Sequence, residues 1–442
     1  MKREVRLERP RPGGALRTVV ALAVACFVPA VGLAARQLRY STEYAAIQYT
    51  TSTPTDAVAR LQDRLASGKA TLQLGPQGGY LASLLNELGI DIDTQVLVFS
   101  KTSLQVAHIS PQSPRSIYFN DSVYVAWVPG GRVELSSVDP KLGLVFYTLE
   151  RRRPSFERHT VQCLQCHDTY SLTGGGVPRN LMGSGFVDPV GNLASHEGWY
   201  LTSDQTPIRR RWGGWFVTGT HGAQVHMGNV IIGSPEQTVP LDLSATGNVT
   251  DIARLVDTRQ YLGEHSDIVA LMVLEHQIHV QNVITRVSYD ARTALHNQRM
   301  RNRELGRDDD FVSEETSARI RSIAEPLVRA LLLVDEAPLT DTIVGTSGFA
   351  ERFAGLGPFD AEGRSLRQFD LTRRLFRYPC SYAIYSEAFD TLPEAAKAHV
   401  YRRLKEVLGG DDRSSTFAHL SAADRRGIRE ILESTKPAFD AP

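Results

Sequence analysis

Five consecutive residues, Cys163-Leu164-Gln165-Cys166-His167, constrain this chain more than any other stretch. Residues at i, i+3 and i+4 meet on one helical turn, so two thiols and an imidazole are expected side by side. A covalently attached haem needs this set. Two thiols add across its vinyl groups, and one imidazole reaches its iron. Two other readings compete. A redox Cys-x-x-Cys belongs in a thioredoxin-like βαβ setting, which Arg151-Arg152-Arg153 ahead of the motif does not provide. A zinc site needs two more ligands, and only Cys380 and scattered histidines are left to supply them.

The N-terminus bears on this choice, because haem c is attached outside the bacterial cytoplasm. Lys2, Arg3, Arg6, Arg9, Arg11 and Arg17 precede an uncharged run at 18–35. That pattern reads as a signal peptide or a membrane anchor over residues 1–36, its basic flank held in the cytoplasm. Pro29 and the small residues Gly32 and Ala34 favour cleavage, whereas the length of the run favours anchoring. Either way the chain is expected in the periplasm or on the outer face of the cytoplasmic membrane. Cys26 lies inside the run rather than at its end, which argues against a lipoprotein cysteine. With four cysteines in 442 residues, no disulfide framework is expected. The 49 basic and 49 acidic residues balance, so nothing points to nucleic acid.

After the export segment, residues 37–150 read as a mixed α/β region. Val58, Leu61 and Leu65 share a helical face stopped by Gly68, and Leu81, Leu84, Leu85 and Leu88 form another before Gly89. Strands are expected at 95–100, 116–119, 123–128, 132–136 and 144–149, three of them separated by the turns Asn120-Asp121 and Pro129-Gly130-Gly131. Residues 151–298 form a haem c region. It is Gly-, Trp-, His- and Arg-rich, with little periodicity until an apolar helix over 267–286. Residues 299–442 read as a helical C-terminal region. It opens on a charged linker or helix end at 299–310 and has helices at 313–335, 381–390, 393–408 and 421–434. The expected fold class is therefore α+β, with an N-terminal antiparallel β-rich region, a cytochrome-c-like haem segment and a C-terminal helical region.

The segment after the motif resembles a class I cytochrome c. Gly176-Val177-Pro178-Arg179-Asn180-Leu181 stands where that family has a Gly-Pro-x-Leu-type loop. The resemblance implies that the Pro178 carbonyl holds the His167 N–H and that Met227, sixty residues past His167, is the sixth iron ligand. A looser resemblance, through residues 212–222, 226–229 and 377–382, is to an uncharacterised family of exported bacterial CxxCH proteins, and it brings no activity with it.

The sixth position has competitors in His226 and His221, and Met182 is a further candidate. An empty site would suit peroxide or a gas. Arg179, Arg209, Arg210, Arg211 and Trp212 are candidate haem-propionate partners. Trp212 and Trp215 are equally explained by packing, and a solvated basic loop explains Arg209–Arg211. Within the apolar helix, His276 and His279 share a face. Satisfied core histidines are the plainer reading, with haem iron or a second metal as the alternative. Glu275 beside them is out of place for a di-iron element. Cys380 reads as a buried free thiol.

The expected function is an exported mono-haem c-type cytochrome, an electron carrier or relay whose partner is a redox protein or a membrane respiratory complex. Membrane association would run through residues 18–35. The alternative is a haem peroxidase-like oxidoreductase using His221, His226 or Glu197 over an open iron. A subunit of a respiratory assembly is a third reading.

Overall fold

Strand alternation and one long helix organise the chain in the computed structural model. The structure describes residues 41–75, 79–151, 153–168, 176–194, 198–233 and 242–440. The export segment, Cys26 and Glu197 lie outside them.

Six strands follow one another as an antiparallel meander: β1 (Val96–Val98), β2 (Arg115–Phe119), β3 (Val123–Trp127), β4 (Val133–Asp139), β5 (Gly143–Leu149) and β6 (Phe156–His159). Local chemistry closes their turns. The Asn120 side chain accepts from the amides of Ser122 and Val123 between β2 and β3. Asp139 does the same for Lys141 and Leu142 before Gly143, whose φ of 69° suits glycine. A separate ladder pairs β7 (Gly183–Ser184) with β8 (Tyr200–Leu201). The chain then returns as β9 (Trp215–Phe216) to pair with β1, giving the order β6-β5-β4-β3-β2-β1-β9.

Alternate residues of the sheet enter different cores, as a pleat requires. Leu97, Tyr118, Val125, Leu135, Val145 and Tyr147 join Val58 and Leu61 of helix α1 (Ala57–Ala66) and Leu84 and Leu85 of α2 (Leu81–Leu88). Gly89, at φ 65°, ends α2. The other face carries Val96, Val98, Phe119, Tyr124, Leu144 and Phe146. It is covered by helices that follow α3 (Leu164–His167), the turn bearing the motif. The first of these is α4 (Ile268–Glu304), then α5 (Glu314–Leu331), α6 (Phe349–Ala354), α7 (Glu387–Asp390), α8 (Glu394–Gly409), α9 (Ala422–Thr435) and α10 (Pro437–Asp440). Leu271 and Ile278 of α4, Leu327 of α5, Leu404 of α8 and Ile428 of α9 belong to this second core.

The fold is thus α+β, an antiparallel seven-stranded sheet followed by a helical region. Ser41–Pro442 forms one compact unit. α4 also passes the expected end at 286 and reaches Glu304, because its polar residues are good helix formers. Among the described residues, no helix is long and apolar enough to cross a membrane.

Asp267 anchors α4. One of its oxygens caps Val269 and Ala270, and the other accepts from the amides of Thr346 and Ser347. Asp267→Ala removes both sets and should cost about 2 kcal/mol, read as a lower urea midpoint with an unchanged slope.

Candidate functional site

β6 delivers the chain to the motif, at one edge of the sheet. Cys163 already has helical backbone angles, and its carbonyl accepts from the amides of Cys166 (3.2 Å) and His167 (3.0 Å). Both cysteines and the histidine therefore lie on a single turn. Cys163 is half-buried, Cys166 exposed, and neither is in a disulfide. Burial, with Glu134 and Cys166 adding to it, pushes the Cys163 thiol up to about 12. A redox Cys-x-x-Cys needs the reverse, a thiol lowered towards its thiolate. Among the described residues no group of three or more His, Cys, Asp or Glu is placed to hold a metal, so a zinc half-site finds no completion there.

His167 is fixed on two sides. Its ring packs 4.6 Å from Phe146 of β5, and its Nδ1 meets the Arg179 carbonyl at 2.5 Å. The Arg179 amide in turn donates to the His167 carbonyl at 3.0 Å. The resemblance implied Pro178 in this role, and the structure moves it one residue on. The reason is physical: a reciprocal pair needs an N–H as well as a carbonyl, and proline has no N–H. Burial holds the His167 ring below its ordinary pKa of 6.5. The imidazole is neutral, with Nδ1 as donor and Nε2 carrying the lone pair that a metal takes.

Helix α4 forms the neighbouring wall. The Asn282 side chain donates to the Asn180 carbonyl at 2.9 Å, and Asn180 accepts from Ser136 of β4 at 3.1 Å. Asp168, directly after the motif, is buried, and Arg286 and Arg179 act electrostatically on its carboxyl. Arg179 is thus beside His167, where a propionate partner was sought.

The other expected ligands are elsewhere. The Met227 amide donates to the Arg211 carbonyl, and the Asn229 amide to the Trp215 carbonyl, so this loop sits beside β9. β9 and β5 are five strand steps apart, on the order of 20 Å at the usual spacing. That is several times the reach of two metal–ligand bonds. The Met227 sulfur also accepts the Tyr200 hydroxyl at 2.9 Å and faces Ser184 Oγ at 3.7 Å. The resemblance implies Met227 as the partner of His167; in the structure the two lie beside different strands of the sheet, Met227 by β9 and His167 by β5. His226 and His221 lie in the same loop, rings 4.7 Å apart, with Trp212 packed 5.4 Å from His226. His226 Nδ1 accepts from the Gly228 amide and His221 Nε2 from the Asn248 amide. Arg209 and Arg210 are exposed, the latter stacked 4.2 Å over the Tyr200 ring.

Arg211, Trp212 and Glu275 belong instead to a buried polar knot. Arg211 pairs with the Glu275 carboxylate at 3.1 Å, and Thr202 donates to that carboxylate at 2.7 Å. Burial pushes Glu275 up to about 7 against the pull of Arg211 and Thr202, and the Trp212 indole also faces it. Asp204, which sequence reasoning did not single out, binds both helix histidines: His276 Nδ1 at 2.7 Å and His279 Nδ1 at 2.6 Å. Burial works to raise the Asp204 carboxyl, yet the two imidazoles hold it well below the usual range. The second nitrogen of His276 meets Ser381 Oγ at 2.8 Å. This carboxylate–imidazole–hydroxyl order matches a hydrolase relay, but His276 and Ser381 are 0 % exposed, so it serves as a latch. Met182 is core, and Cys380 is fully buried with its thiol pushed up to about 12 by burial.

Two outcomes follow from these burials. Arg211→Met leaves the Glu275 carboxylate without its cation inside the core and should cost about 3–5 kcal/mol, seen as a lower thermal midpoint. Burial, then His221, pushes the His226 imidazole down to about 3 from 6.5. The folded chain therefore refuses a proton that the unfolded chain accepts. Stability falls as pH drops from about 6.5 towards 3. Urea melts across that range should show a shallower acid limb for His226→Asn.

Compared with family models, curated proteins and solved structures, the chain matches none.

Proposed function

We propose that this chain is an exported protein carrying one covalent haem, and that it relays single electrons to a redox partner at the outer face of the membrane. The observation that carries this reading is the one-turn presentation of Cys163, Cys166 and His167, with His167 Nδ1 held by the Arg179 carbonyl. Bound there, the haem supplies a one-electron Fe(III)/Fe(II) couple.

The chain's residues divide the work around it. Cys163 and Cys166 act as tethers. Both are free thiols, which thioether formation requires. Arg179 fixes the imidazole tautomer and makes His167 a better ligand. Phe146 packs against the His167 ring, and the sheet behind it would hold that imidazole in place as a ligand. Gln165 and Cys166 are exposed, so a haem tethered there would be open to a partner protein at the surface. A peroxidase would need an acid–base group above the iron. His221 and His226 are beside β9 and engaged with backbone amides, so the described residues favour the relay.

The test is a reduced-pyridine spectrum of the full chain, matured in a cell that attaches haem c to other proteins. One covalent haem per chain with two thioethers is expected. Cys163→Ala and Cys166→Ala should each shift the band to that of a single thioether, and the double variant should lose covalent haem. A mature wild-type chain without covalent haem would overturn the reading.

A further inference from the structure

From Ile268 to Ala291, helix α4 is buried except at His279, Asn282, Val283, Arg286 and Asp290. The steps from His279 to Val283, Arg286 and Asp290 are four, three and four residues, so these side chains form one stripe along the axis, about 16 Å long. From Asn282 to Asp290 the stripe adjoins the motif's surroundings. Asn282 bonds Asn180, next to the Arg179 carbonyl that holds His167, and Arg286 and Asp290 act on Arg179. The other end is His279, about 10 Å along the axis from Arg286.

His279 and His276 differ in what they have left to offer. Both nitrogens of His276 are engaged, and its side chain is 0 % exposed. His279 is 21 % exposed, and among the described residues only its Nδ1 is engaged, by Asp204. In the neutral ring this bond leaves the lone pair on Nε2. His167 is prepared in the same way, with the Arg179 carbonyl as acceptor. An imidazole backed by a carboxylate is the arrangement that orients and strengthens a metal ligand. The candidates expected from spacing lie beside β9.

We propose that His279 is the second axial ligand of the haem carried by Cys163, Cys166 and His167, with Asp204 as its positioning residue. The proposal rests on the haem reading above. It makes the site bis-histidine, and the Asp204 carboxylate, by strengthening the donor, favours the ferric state.

Electron paramagnetic resonance of the ferric holoprotein tests this beside the pyridine spectrum. Wild type should be low-spin. His279→Ala should keep one covalent haem and the wild-type circular dichroism but turn high-spin, and added imidazole should restore the low-spin signal. Asp204→Asn should stay low-spin with a raised midpoint potential, which a merely structural role would not move. A low-spin spectrum that survives His279→Ala overturns the assignment. So does a change to high-spin in Met182→Ala with His279→Ala unaffected. A wild-type chain with no covalent haem would instead sink the haem reading, and the ligand assignment with it.

Discussion

The Asp204 carboxylate is the constraint on which much of the helical half depends. Two imidazoles from α4 share it, and Arg211 reaches its backbone carbonyl while pairing with Glu275 one position before His276. A buried charge of this kind is costly unless every partner is present, so it sets helix register more sharply than apolar packing does. The loop at 198–211 is thereby bound to one turn of α4, and Ser381 joins through His276. Shifting α4 by one residue would turn both histidines away from the carboxylate.

The motif depends on a smaller lock with the same logic. Of the reciprocal bonds between His167 and Arg179, one joins backbone to backbone and the other joins the imidazole Nδ1 to a backbone carbonyl, so motion of the Arg179 side chain loosens neither. α3 is too short to hold itself, since a single turn does not repay its nucleation. It is held by Phe146, by the Arg179 segment and by Cys163 packed against the core. The sheet supplies rigidity, the loop supplies the acceptor, and the reactive atoms remain near the surface.

Much of this was legible in the residues. Strands β1 to β5 followed from alternation and from Asn, Asp and Gly turns, and α1 and α2 from their apolar faces and the glycines behind them. β6 and β9 were not, because each is short and its pairing is decided by a distant strand. β9 finds β1 across more than a hundred residues, and two residues carry no period. The motif itself was plain, while its setting was not. Met227 had the right spacing for a cytochrome ligand, but spacing transfers only where the intervening fold does, and here the strands from β5 to β9 set the two residues apart along the sheet. Asp204 gave no sign in the sequence, since its meaning arises only once α4 lies against its loop.

The position of β9 at the far edge of the sheet has a temporal side. In a chain made from its N-terminus, Cys163 to His167 emerge while the strand that closes the sheet and the helix that walls the motif do not yet exist. Long-range pairing of this kind is the slow step of assembly. Strands β1 to β6, which support the motif from the sheet side, are all made before it, so that support forms locally and early, while β9 and the α4 wall are added afterwards.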